Sequence, residues 1–202
     1  MTSYIKDYTT NSGAQLEITG IIRGETITFP AFLTSFTDNM TSQWNEEVVY
    51  GRPDPIGTFQ NTARKISIGF DLPAADITEA KENLYRINTV KQFLYPAYSS
   101  TPSQVIPDGA TSPVTVTTNA LSLAKSPIIR LKFANLIQNN AGDGLLGWIG
   151  SFSATPVIDM GMFNESQQLF PKVYNVSIDF TPQHEFDLGY DTDGLTLDNK
   201  YA

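Results

Sequence analysis

Cysteine is absent from the 202-residue chain, which removes disulfides, thiol nucleophiles and thiolate metal sites together. Histidine is almost absent. His184 is the single one, so a histidine-based dyad, triad or multi-histidine metal site would have to be completed without a second imidazole. Charge is sparse at 17% of residues, and positive charge sparser still: 13 lysines and arginines face 21 acidic groups, a net of −8. That balance disfavours bulk attraction to nucleic-acid phosphate or to an anionic membrane surface. No apolar run approaches the roughly 20 residues that a bilayer-spanning helix needs. The opening Met-Thr-Ser-Tyr-Ile-Lys-Asp-Tyr has no apolar stretch behind a basic one. The expectation is a soluble protein without a secretory signal or membrane contact.

What is present is apolar residue in globular proportion, 41% of the chain, enough for a core and too much for a disordered segment. A single domain over 1–202 is expected. Ile66, Ile68, Phe70 and Leu72 alternate with polar or small residues, as do Tyr174, Val176, Ile178 and Phe180. Both patterns read as half-buried strands. Ile129, Leu131 and Phe133 repeat the alternation, and Trp148, Ile149 and Phe152 suggest a further strand softened by glycines. Leu16 to Phe29 reads as a hairpin turning at Gly20 or Gly24. One helix interrupts the strands: Ile77, Ala80, Leu84, Ile87, Val90 and Leu94 recur at steps of three and four, which places them on one face. Asp76 and Glu79 suit its N-terminus and Pro96 marks its end. The fold class is mainly β, with two packed antiparallel sheets and one flanking helix.

Two segments fall outside these patterns. Residues 99–126 are rich in Ser, Thr and Pro and are expected to form a long loop with at most a short edge strand near Val114 and Val116. Residues 187–202 carry four aspartates against Lys200 and read as a solvated acidic tail.

Several motifs dissolve on inspection. Gly142-Asp143-Gly144-Leu145-Leu146-Gly147 matches G-x-G-x-x-G, but a dinucleotide fingerprint must open a helix, whereas Trp148 and Ile149 continue as strand. A loop between antiparallel strands is expected instead. His184 beside Glu185 reads as a structural histidine. Asp191, Asp193 and Gly194 resemble the start of a calcium loop, yet the glycine is misplaced and Ala202 stands where a bidentate Glu is needed. Glu46 and Glu47 are neighbours on an extended chain, so their carboxylates point apart rather than flanking a scissile bond. No G-x-S-x-G elbow is present, and the sequons at Asn39, Asn164 and Asn175 carry no weight without a secretory route. No catalytic residue, cofactor or metal is expected.

Longer stretches carry a resemblance. The first is Trp44-Asn45-Glu46-Glu47-Val48-Val49-Tyr50-Gly51-Arg52-Pro53-Asp54-Pro55-Ile56, followed by Thr62 to Phe70. The second runs from Pro127 to Ile137, through Gly144 to Ile149, to Leu169 to Phe180 and His184. Together they resemble the tail-tube-fold proteins of contractile-tailed bacteriophages, the tube initiators and baseplate ring proteins, over about half the chain. The resemblance implies paired antiparallel sheets flanked by a helix, no active site, and a homo-oligomeric ring, a hexamer, within the virion. It also implies neighbouring tail-tube and baseplate hub proteins as partners, and a lumen through which DNA passes without specific binding. An acidic subunit suits such a lumen. A major tail-tube protein is the near alternative, and a β-sandwich carbohydrate-binding module the alternative of another class.

Trp44, Tyr50, Arg52 and Asp54 are the candidate subunit interface: the segment is too proline-broken for a central strand, and aromatics and arginine are favoured interface anchors. The competing expectation is that Trp44 and Tyr50 fill this subunit's own core.

Overall fold

The computed structural model describes residues 15–30, 32–105, 114–139, 141–186, 188–190 and 192–193, with side chains 100–105 and 114–122 left aside. In chain order the elements are β1 (Gln15–Gly20), β2 (Glu25–Pro30), β3 (Phe32–Glu47), β4 (Ile56–Pro73), α1 (Ile77–Phe93), β5 (Ala97–Val105), β6 (Val114–Lys125), β7 (Ile129–Phe133), β8 (Leu145–Pro156), a 3-10 turn (Ile158–Met160), β9 (Met162–Glu165), β10 (Gln168–Pro171) and β11 (Val173–Pro182).

Seven strands form one antiparallel sheet in the order β2-β1-β7-β8-β11-β4-β3, with β9–β10 and β5–β6 as separate pairs. The alternating segments occupy its inward face: Ile66 to Leu72 on β4, Tyr174 to Phe180 on β11 and Ile129 to Phe133 on β7 are buried at every second residue. The sheet folds over on β8. Its first residues pair with β7 (Leu145↔Leu131, Gly147↔Ile129), and from Gly147 to Pro156 it pairs with β11. A register shift at Asp179/Phe180 marks the bend, a device that lets one strand serve two layers. A Cβ on Gly147 would lie 2.2 Å from the Thr181 carbonyl oxygen, so only glycine permits this approach. The β2-β1-β7 layer and the β11-β4-β3 layer thus enclose one core, as expected from the pattern of alternation.

Helix α1 closes the core at one side through Ile87, Val90 and Phe93. Its start is a capping arrangement: Asp76 Oδ1 accepts from the Glu79 N–H at 2.8 Å, while Glu79 Oε2 accepts from the Ala75 N–H at 2.8 Å. At its other end the Phe93 ring lies so close to Gly20 that a Cβ there would meet it at 2.8 Å.

The stretch 99–126 departs from expectation. Rather than a loop, its described parts, 99–105 and 114–125, lie in an antiparallel ladder, Ala97↔Lys125 to Val105↔Val114, while 106–113 lie outside the described residues. Its Thr, Ser and Val residues suit extended backbone, and Pro102 sits at a register shift (Ser100/Pro102), where a missing N–H costs no ladder bond. The acidic tail lies outside the described residues except at 188–190 and 192–193.

Candidate assembly interface

Strands β3 and β4 are three times the length of their neighbours β1 and β2, and only half of each belongs to the body. Arg64 is the first buried residue of β4 in chain order; every residue of 39–63 is exposed. Ile56 to Ala63 therefore forms a two-stranded arm with β3, extending about 27 Å past the core at 3.4 Å per residue. Its ladder runs without a gap from Met40↔Arg64 to Glu47↔Ile56, and one register shift at Gln43/Trp44 leaves Gln60 as the extra residue of a bulge.

An ion pair fixes the root of the arm. The Arg64 guanidinium donates from Nε and Nη2 to both Asp38 carboxylate oxygens at 2.6–3.1 Å. Arg64 is 6% exposed, and the fork geometry sets the orientation of the two strands where they leave the body.

The four residues singled out from sequence all fall on this arm, in two places. Trp44 is on the shaft, in strand β3 rather than in a loop: the Pro53 and Pro55 breaks act only beyond Glu47, and the strand reaches Trp44 because β3 is a sheet edge. Tyr50, Arg52 and Asp54 lie in the tip, residues 48–55, where Gly51 takes φ +84° and the Arg52 N–H donates to the Val49 carbonyl at 3.2 Å. Trp44 is 57% exposed and Tyr50 fully so, which overturns the expectation that they fill this subunit's own core.

Trp44 meets Phe59 edge to face at 5.4 Å and donates from Nε1 to Ser42 Oγ at 2.8 Å. Met40, Ser42 and Trp44 alternate on one face of β3, the face that Asp38 and Arg64 continue into the core. Met40 and Phe59, each about half exposed, complete an apolar strip that nothing covers among the described residues. Sequence reasoning missed both. Phe59 sits in a polar run, Gly57-Thr58-Phe59-Gln60-Asn61, and became visible as a partner of Trp44 only through the register.

The other motifs resolve simply. Residues 142–144 end the connection from β7 and 145–147 open β8, its antiparallel neighbour, and Gly144 and Gly147 serve close backbone approach rather than a phosphate. Glu185 accepts a two-pronged contact from Arg130 at 2.8 Å, which holds the Arg130 guanidinium above its ordinary pKa. His184, an exposed residue, is held below the usual imidazole pKa, first by partial desolvation and then by the Arg64 charge. Among the described residues no three of His, Asp and Glu converge as metal ligands, and no helix is long and apolar enough to cross a membrane.

No protein-family model matches the chain, and no curated protein does. Among solved structures it is similar to the Dit (gp 19.1) protein of phage SPP1, described as a paradigm of the hub adsorption apparatus in phages that infect Gram-positive bacteria. The TM-score is 0.39 and the identity 8%, covering 83% of this chain and 49% of that one. The chain thus spans about half the length of that protein. A likeness of this size fixes neither fold nor function.

Proposed function

We propose that the chain is a non-enzymatic structural subunit of a contractile phage tail, forming a homo-oligomeric ring at the junction of baseplate and tube. The observation that carries this reading is the β3–β4 arm. A stretch of 25 residues, 39–63, that is exposed throughout adds nothing to the buried core, and its Met40, Trp44, Phe59 and Tyr50, each half exposed or more, are a liability for an isolated subunit. A partner that covers them turns the liability into an interface.

Two further features support it. Among the described residues the seven-stranded sheet is open, with β2 and β3 at its edges, and pairing between copies around a closed circle would satisfy edge N–H and C=O groups. The resemblance carried by Trp44 to Ile56 and by the β7, β8 and β11 sequences implies a tail-tube fold, and a mainly β architecture with one helix is compatible with it. The ring would be a hexamer, contacting tube subunits on one side and hub proteins on the other, with DNA passing through its bore.

The test is the mass of the purified full chain, with negative-stain imaging. Single rings fit the junction role, and end-to-end polymers would make it a major tube protein. A stable monomer that binds glycans through Trp44 and Tyr50 would replace the reading with that of a carbohydrate-binding module.

A further inference from the structure

We infer that the tip of the arm docks head-to-tail onto a second copy of this chain, in the apolar slot at the C-terminal end of α1. This rests on the ring reading and adds the acceptor surface that the reading lacks.

The slot consists of two concavities that share Ile128. One, of about 200 Å³, is lined by Ile22, Phe93, Tyr95 and Ala97, with Arg23 and Gln92 at its edge. The other, of about 310 Å³, lies between Leu94, Pro127, Trp148 and Ile149. Tyr95 is 70% exposed and Trp148 46%, so the walls rise into solvent as amphipathic rings, the kind of surface that a partner's aromatic side chain fills. The slot is a permanent feature: its floor is the Phe93 ring wedged on Gly20 and the β7 approach at Ile128, whose N–H and carbonyl are engaged by the Ser126 carbonyl and the Ile21 N–H.

Charge selects the occupant. Arg23 lines the slot, and two further cations adjoin its lining residues: Lys91, next to Gln92 in the last turn of α1, and Lys125, the cross-strand partner of Ala97. Glu25, 3.5 Å from Arg23, is the acid among them. The outer end of the arm has the opposite balance: Glu46 and Glu47 at the end of β3 and Asp54 in the tip flank Val48, Val49 and Tyr50 in sequence, with Arg52 alone opposing. An apolar tip of net negative charge thus matches an apolar slot with a net positive surround, the complementarity that orients encounter and excludes wrong partners. Donor and acceptor are different patches of one chain, so the contact is heterologous, the type that generates rings when the rotation closes.

The absence of native cysteine makes the test direct. Chains carrying Tyr50→Cys and chains carrying Tyr95→Cys are purified separately, mixed in equal amounts and oxidised. A disulfide between the two kinds of chain is expected, and cross-linking within either pool alone is expected to be minor. In parallel, Lys91→Glu with Lys125→Glu should weaken association of the full chain by roughly tenfold or more at low salt. Adding Glu46→Lys and Glu47→Lys should restore it. If the unaltered chain forms rings, yet the mixed pools do not cross-link and the charge-reversed chain associates normally, the docking is wrong while the ring stands. If the unaltered chain forms no rings at any concentration, the ring reading fails, and this inference with it.

Discussion

The ring of Phe29, on β2, lies 5.7 Å from that of Phe70, on β4, tilted by 55°, although four strands separate β2 from β4 in the sheet. In a flat sheet with strands about 4.8 Å apart the two would be some 24 Å distant. The contact exists because the sheet doubles back at β8, and both rings are fully buried between its layers. The pair therefore reports on closure of the two layers.

Truncating either ring should be costly. Phe29→Ala and Phe70→Ala are each expected to destabilise the subunit by about 3–5 kcal/mol. The double variant should lose less than the sum of the two, with a coupling of about 0.5–1.5 kcal/mol. Urea unfolding of the four chains measures this, and strict additivity would mean that the layers do not meet at this point.

The fold-over point makes a sharper contrast. Gly147→Ala places a methyl against the Thr181 carbonyl oxygen and should cost about 2–3 kcal/mol or more. At Gly150 the nearest atom to a new Cβ is 3.9 Å away, so Gly150→Ala, on the same strand, should be tolerated. Equal midpoints for the two variants would contradict the assigned register of β8 against β11.

At the root of the arm, Asp38→Asn removes the charge from the fork with Arg64 while keeping its shape. A loss of about 1–3 kcal/mol is expected. Amide exchange should quicken first in residues 40–47 and 56–63, since that ion pair sets how the arm leaves the body. Unchanged exchange in the arm would show that the ladder alone holds it.

His184 gives a pH signature of known sign. Its folded pKa lies below the unfolded value of 6.5 because of partial desolvation and the Arg64 charge. As pH falls through 6.5, the unfolded chain takes up a proton before the folded one does, so stability falls; above 6.5 the effect vanishes. His184→Gln should flatten this part of the profile between pH 7 and the folded pKa, with no change at pH 8. A profile identical to that of the unaltered chain would place His184 in solvent-like surroundings.

Much of this body is legible in the sequence, and for one reason. Alternation such as Ile66-Ser67-Ile68-Gly69-Phe70 appears only where one face is buried and the other is not, and the same logic sets the helix face at Ile87 and Val90. Where a strand leaves the body, that signal disappears. Met40 to Glu47 and Gly57 to Ala63 pair as regularly as any strand, yet neither face is buried, so no hydrophobic period records them. The β5–β6 pair hides in Ser, Thr and Pro composition, and β9–β10, at four residues each, is too short to show a period. The arm segment was visible through Trp44, Tyr50 and Arg52 because large aromatics stand out in any context. Their partners Met40 and Phe59, and the slot beside Phe93, required the tertiary arrangement.

The most direct measurement is the mass of the full chain across a wide concentration range, compared with the same chain carrying Trp44→Ala and Tyr50→Ala. Both residues lie outside the core, so the subunit should stay folded, with Trp44→Ala costing about 0.5–1.5 kcal/mol through its lost contact with Phe59 and Tyr50→Ala no more than about 0.5 kcal/mol. The unaltered chain should assemble into closed rings and the variant should remain a folded monomer. A single-copy species at every concentration for the unaltered chain, or rings of equal stability from both, would contradict the account.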